Sequence, residues 1–228
     1  MAFLDKYFET IIETGYYNWL LDGFGNTLLI TLGALLIGIA IGTVIAVVKY
    51  FGEGIPAMKP LCWLCDLYTT VIRGVPVVVL LLITYFIIFA SSDNGVMVAI
   101  ITFGINSGAY MAELIRGGIQ SVDKGQMEAG RSLGLSKLQT MVKIIFPQAI
   151  RYILPAIGNE MIALLKETSV AGYVAVRDVT KAGDQIRNLT YDAVSPLLTV
   201  ALTYLALVVL MTALLNVIEK RLAKSDKG

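Results

Sequence analysis

The chain of 228 residues has no histidine and only two cysteines. Without histidine it lacks the commonest general base and proton relay near neutral pH, which tells against an enzyme and against a proton-coupled carrier. The two thiols, Cys62 and Cys65, form a lone CxxC inside an apolar stretch. A metal or redox centre there would want a second pair or a histidine, so the thiols read as packing residues. No GxxxxGK[ST] phosphate loop occurs anywhere, so ATP phosphates are not cradled by that route. No nucleophile–base pair or metal-ligand set stands in its place. Charge is scarce as well: 15% of residues are Asp, Glu, Lys or Arg, against about 25% in soluble domains. With 57% hydrophobic residues and a mean hydropathy of +0.75, the chain reads as an all-α, polytopic membrane protein. The net charge of +1 says nothing about partners and gives no reason to expect nucleic acid among them.

Taken in order, residues 1–22 are acidic and aromatic, with Phe3, Leu4, Tyr7, Phe8, Ile11 and Ile12 at helical spacing. They predict an amphipathic helix in the membrane interface, followed by Tyr16, Tyr17 and Trp19 at headgroup level. A basic start and a small-residue cleavage site are both missing, so a cleavable signal peptide is not expected. From Gly23 to Val48 no charge occurs, long enough to span the hydrocarbon core. Gly38 and Gly42, with Ala34 one turn earlier, form either a ridge for close helix approach or glycines merely tolerated in lipid. A second span from Lys59 towards Phe89 holds Asp66 and Arg73, and Gly74 and Pro76 should break or kink it. Asp66 and Arg73 lie on one helix face and either pair with each other or find partners elsewhere in the bundle. A third span runs from Gly95 to about Ala112, with Asn106, Ser107 and Tyr110 inside it and Glu113 and Arg116 at its end. A fourth begins near Gln148, a hydrophilic segment covers residues 177–192, and a fifth runs from Ala193 to Ile218.

Five spans put the two chain ends on opposite sides, and positive charge chooses between them. One side holds Lys49, Lys59, Arg116, Lys124, Arg131, Lys137, Lys143, Lys220, Arg221, Lys224 and Lys227; the other keeps Lys6, Lys181 and Arg187 among many carboxylates. The first side is therefore expected in the cytoplasm, with the basic tail, residues 221–228, and the N-terminus outside. The loop between the third and fourth spans, residues 124–147, falls on the cytoplasmic side. Gly134 separates two short helical pieces there. The second opens with Ser136 and carries Gln139 three residues on, a capping-box pattern. Leu138, Met141, Val142 and Ile145 recur at helical spacing and predict one apolar face. Pro147 should close this piece and seat itself in the first turn of the next helix.

The same residues carry a resemblance. Glu128, Ala129, Gly134, Ile144 and Pro147 are spaced as in the EAA motif of bacterial ABC-importer permease subunits, with Gly130 and Phe146 as departures. RGVP at 73–76, AYMAELIRGGIQSVDKGQ at 109–126 and LPAIGNEMIALLKETSV at 154–170 are similar to the polar amino-acid permeases within that group. The resemblance covers nearly the whole chain from about residue 20. It implies five transmembrane helices of the type I importer architecture, residues 23–220 forming the transmembrane domain. It also implies a second permease subunit, identical or homologous, and a separate ATPase dimer that supplies ATP, Mg and the hydrolysis; no cofactor is expected in this chain itself. The ATPase would hold one coupling loop from each permease, and an outer solute-binding protein would deliver an amino acid.

On the fourth span Asn159 and Lys166 are seven apart, as are Glu160 and Glu167, and together they predict one polar stripe on adjacent helix faces. The stripe lines the path of the solute or consists of charges that pair among themselves and across subunits. Lys166, Glu167, Thr168 and Ser169 match a segment that the family associates with the gate. Two other classes compete with an importer permease. A secondary transporter should show inverted repeats, and none is evident. A structural subunit would have no use for an intramembrane polar cluster.

Overall fold

The computed structural model describes residues 2–224, without the side chains of residues 2–4 and 223–224. Phe3, Leu4 and the last six residues of the expected basic tail, 223–228, therefore carry no side-chain description, and 225–228 lie outside the described residues. The described residues form helices and turns only. Helix α1, Ala2–Tyr7, continues through a wide π turn, Phe8–Glu13, and α2 follows over Tyr17–Gly52. The second expected span is α3, Lys59–Gly74, and α4, Val77–Ile83, which runs on through a π turn, Thr84–Ile88. Then come α5, Gly95–Gln120; α6, Gly125–Ser132; α7, Lys137–Thr140; a π turn, Met141–Ile145; and α8, Phe146–Glu167. A 3₁₀ turn, Thr168–Val174, leads to α9, Val179–Thr190, and α10, Val194–Lys224.

Four helical stretches are long and apolar enough to cross a membrane, and the bent α3–α4 pair makes a fifth if it is counted as one span. With 36 residues, α2 is about 54 Å long and overruns a hydrocarbon core of about 30 Å. The chain alternates in direction, so the bundle has a loop end, where α2 finishes and α6 and α7 sit, and an opposite end near α9.

The central pair is α2 with α5, and it is built on small residues from both helices. A Cβ on Gly38 would lie 2.8 Å from Ser107 Oγ, and one on Gly42 would collide with Met111. Reciprocally, Cβ atoms on Gly104 and Gly108 would lie 2.7 and 2.8 Å from Ile37 and Ile41. The glycine ridge seen in α2 is thus a packing device, and α5 carries a matching GxxxG pair, Gly104 and Gly108, that the sequence reading passed over. Ile30, Ala34 and Leu35 of α2 and Phe103 and Met111 of α5 bury the core, with Leu81 and Leu164.

The second span breaks where Gly74 and Pro76 were expected to break or kink it: its halves meet at 104°, because Val75 and Pro76 are extended and Pro76 has no amide to continue the ladder. Two span boundaries are revised. The third span runs to Gln120, eight residues past Ala112. Instead of beginning near Gln148, the fourth is helical from Lys137 onwards; Pro147 sits in the first turn of α8 and the π turn carries the chain across. The hydrophilic segment after the fourth span folds as α9. Its capping residue Asp178 accepts from the amides of Thr180 and Lys181 at 3.1 and 2.9 Å, and Val179, Ala182 and Ile186 are buried beside Leu20 and Val200.

The N-terminal segment packs on the α9–α10 turn. Ile11 is buried there. Asp192 is buried beneath Thr10 and accepts from Ser195 Oγ at 2.6 Å, with Lys6 Nζ 4.0 Å away.

Candidate functional site

The stretch around Gly134 is a compact knob at the loop end. Asp123 Oδ1 accepts from the Gly125 amide at 2.7 Å at the entry to α6. At the corner Gly134 has φ +81°, a conformation that a side chain disfavours, and the Arg131 guanidinium donates to the Leu135 carbonyl at 2.8 Å. Ser136 then caps α7: its Oγ accepts from Gln139 N at 3.2 Å while Gln139 Oε1 accepts from Ser136 N at 2.8 Å. Both halves of the expected capping box form.

The expected single apolar face of this piece divides in two. Met141 and Ile145 turn inward, against Ala46, Ile115 and Val122, whereas Leu138, Val142 and Phe146 stay exposed with Leu133, which is 80% exposed. The π turn over Met141–Ile145 rotates the register part-way along, so helical spacing in the sequence does not map onto one side. Glu128, Ala129, Gly134 and Pro147 lie on the exposed surface of the knob, and Ile144 is half-buried beneath Gly130. The Lys137 ammonium lies over the rings of Tyr50 and Phe51, 5.1 and 5.8 Å from their centroids, which ties the knob to the end of α2.

On α8 the polar residues separate. Glu160 and Glu167 turn towards α5: Ser107 Oγ donates to Glu160 at 3.3 Å and Asn106 Nδ2 donates to Glu167 at 3.4 Å. Asn159 does not join them, contrary to the adjacent-face stripe; it is exposed and its amide donates to the Pro155 carbonyl at 3.1 Å. Lys166 is exposed, Thr168 is fully buried with its hydroxyl donating to the Leu165 carbonyl at 2.7 Å, and Ser169 is half-buried. Among the described residues, Glu160 makes no ion pair. A carboxylate held by one hydroxyl inside a bundle is costly unless a cation visits it.

A third polar group lies nearer the loop end. Lys49 Nζ sits 2.6 Å from Asp66 and 3.6 Å from Glu113, and Glu113 is also paired with Arg116 at 2.6 Å. Asp66 and Arg73 are therefore not partners; Arg73 instead stacks on Tyr110, 5.3 Å from the ring centroid. Beside the Lys49 pair is a cavity of about 270 Å³, lined among others by Tyr50, Glu53, Cys62 and Gln120. Cys65 is buried against Ile45 and Ala112, as a packing residue would be.

Residues 38–224 match the family model described as a binding-protein-dependent transport system inner membrane component. The chain belongs to that family. The relatives of this permease include a probable glutamine ABC transporter permease protein, GlnM, of Bacillus subtilis, 38% identical over 92% of this chain and 95% of that one. The arginine transport system permease protein ArtQ of the same organism is 34% identical over 91% and 94%. Among solved structures, an amino acid ABC transporter crystallised with histidines superposes with a TM-score of 0.83 at 37% identity, over 91% of this chain and 96% of that one. The permease thus has the type I importer architecture and is a transport component of the inner membrane, not a catalytic subunit.

Two groups in the permease escaped the sequence. Lys49 read only as one of the cytoplasmic-side charges, although Asp66 stood inside the second span and Glu113 at the end of the third. Asp178 read as part of a solvated stretch, although the order Asp178, Val179, Ala182, Ile186 is that of a capped amphipathic helix.

Proposed function

We propose that this permease is the translocation subunit of an ATP-driven importer of polar amino acids. It works as a dimer with an identical or homologous permease, takes its substrate from an outer solute-binding protein and couples to two ATPase subunits that bind ATP and magnesium. The observation that carries the reading is the knob: a rigid, capped corner with an apolar surface of Leu133, Leu138, Val142 and Phe146 and no covering element among the described residues. Such a surface, rimmed by charge, fits a cleft in a partner protein. Glu128, Ala129, Gly134, Ile144 and Pro147 would form the coupling element, held in the cytoplasm by the surrounding Lys and Arg, with the N-terminus outside. Drawing the two knobs together as ATP closes the ATPases would turn the path from inward-open to outward-open.

The substrate class is supported by the relatives, an arginine transport permease and a probable glutamine permease. It is supported too by the unpaired Glu160, which can replace the hydration of an ammonium group at mid-membrane. In this reading Glu160 and Glu167 line the path. Lys166 and Ser169 stand at its outer gate, Thr168 locks the helix end below them, and Asn159 faces the second permease. The test is uptake of labelled polar amino acids into proteoliposomes. Uptake should need the ATPase, ATP and the binding protein together. Uptake by the permease alone on an ion gradient would make it a secondary transporter, and ATP hydrolysis with no uptake would make it a structural subunit.

A further inference from the structure

Helix α3 is held to the bundle mostly by polar contacts. Of its 16 residues only Cys65 and Thr69 are buried. Its other fastenings include the Lys49–Asp66 ion pair, the Cys62 thiol donating to the Val48 carbonyl at 3.9 Å, the Tyr68 hydroxyl donating to the Ile105 carbonyl at 2.6 Å, and the stack of Arg73 on Tyr110. At its far end the chain passes through extended Val75 and Pro76 into a 104° bend. Nothing lies within 4 Å of where a Cβ on Gly74 would stand. The helix therefore has a hinge at one end and, at its middle, a partly exposed ion pair that lines the 270 Å³ cavity. Exposed pairs and single hydroxyl bonds break and reform at small cost, unlike a packed core.

The cation of that ion pair comes from the last turns of α2, and the adjoining residues Tyr50 and Phe51 hold Lys137 of the knob. One short piece of helix thus grips the knob with its rings and α3 with its ammonium. We propose that Lys49 is a coupling linkage: displacement of the knob moves the end of α2, shifts Lys49 between Asp66 and Glu113, and lets α3 swing about Val75–Pro76. Lys49 already has both carboxylates in reach, at 2.6 and 3.6 Å, so two alternative pairings exist without a long excursion. Tyr68 and Cys65 would leave α5 as the helix swings. Lys49 here positions α3 and touches no substrate. The inference rests on the reading of the knob as the coupling element.

The experiment uses the complete reconstituted transporter and reads two quantities. The first is substrate imported per ATP hydrolysed. The second is the rate of alkylation of Cys65 in a Cys62→Ser background, with and without ATP plus vanadate. Lys49→Met and Asp66→Asn should each lower the import ratio by about tenfold, the scale of a shared coupling element. The double variant should be no worse than either alone, because the two residues act as one pair. Lys49→Arg should restore the ratio. Nucleotide-dependent alkylation of Cys65 should persist in Lys49→Arg and vanish in Lys49→Met. An unchanged ratio in Lys49→Met, or additive losses in the double variant, overturns the linkage. So does a Lys49→Met complex that forms poorly but imports with the normal ratio, since the residue is then purely structural. Gly134→Asp separates the two levels: if it uncouples while Lys49→Met does not, the knob reading stands and the linkage fails. If Gly134→Asp couples normally, the knob reading itself has failed.

Discussion

Gly130 stands where the family motif has alanine, and the reason is Thr140. A Cβ at Gly130 would lie 2.5 Å from Thr140 Cγ2 and 2.9 Å from its Oγ1. Thr140 cannot yield, being fully buried with its hydroxyl donating to the Ser136 carbonyl at 3.0 Å. Gly130→Ala should therefore lower stability by about 1–3 kcal/mol, the usual cost of overpacking, measured as thermal unfolding in detergent. Thr140→Ser removes the methyl and keeps the hydroxyl, so the pair Gly130→Ala with Thr140→Ser should recover most of the loss. Additive losses would mean that the two positions are not in contact. At Glu160 the expected effect is functional. Glu160→Gln keeps the shape and the Ser107 contact but removes the charge. It should raise the substrate concentration needed for transport by about tenfold, on the order of 1.4 kcal/mol, while ATPase coupling survives at saturating substrate. Unchanged concentration dependence would make the carboxylate structural.

Between residues and the whole bundle, the helices differ in how far they could be read from sequence. The knob was legible because its signals are local: a glycine with φ +81° and a Ser136–Gln139 box need only three or four neighbours to act. The split of Met141 and Ile145 from Leu138 and Val142 was not, because a π turn leaves no mark on apolar spacing. The buried face of α9 relies on Val179, Ala182, Gly183 and Ile186, too small to stand out among Lys181, Asp184 and Arg187. At the knob, Gly134→Asp puts a side chain and a charge into the left-handed corner, where even Asp, better tolerated than the residues that lose about 1–2 kcal/mol, changes the surface offered to a partner. Glu128→Arg reverses the charge on the exposed first turn of α6. Both variants should insert normally yet lose substrate-stimulated ATP hydrolysis; normal stimulation at normal complex yield would refute the coupling role. The α1 to α10 junction responds to pH. Burial works against the Asp192 charge, but the Ser195 hydroxyl, the Val194 and Ser195 amides and Lys6 together hold its carboxyl below the usual carboxylate range. In that window the unfolded chain binds the proton first, so the stabilisation is complete above the ordinary carboxyl pKa of about 4 and fades below it. The stability advantage of the natural chain over Asp192→Asn should accordingly shrink as the pH falls through 4, with both followed by thermal unfolding. An advantage that grows on acidification would reverse the assignment.

For the molecule as a whole, the decisive quantity is its orientation, and charge sets it. The loop end collects Lys59, Lys124, Arg131, Lys137, Lys143, Lys220 and Arg221, whereas the opposite end carries Glu9, Glu13, Asp22, Asp93, Asp184 and Asp192. Lys and Arg resist transfer across the membrane during insertion while carboxylates contribute little, so the loop end should remain in the cytoplasm. The fold adds a constraint that charge alone does not: the knob is tied through Lys137 to α2 and through Met141 and Ile145 to α5, so it cannot lie on the side opposite the end of α2. Single cysteines placed in a Cys62→Ser, Cys65→Ser background test both statements at once. Asp93 and Asn188 are exposed at the far end, and Lys143 and Lys220 are exposed at the loop end. Cysteines at the first two positions should react with an impermeant maleimide on intact cells, and those at the last two only after the membrane is opened. Outside labelling at Lys143 together with protection at Asp93 would turn the molecule over and remove the knob from any cytoplasmic ATPase. Outside labelling at both ends would break the odd number of crossings, and the α3–α4 pair, the one crossing bent by more than 40° among the described residues, would then have to enter and leave by the same face.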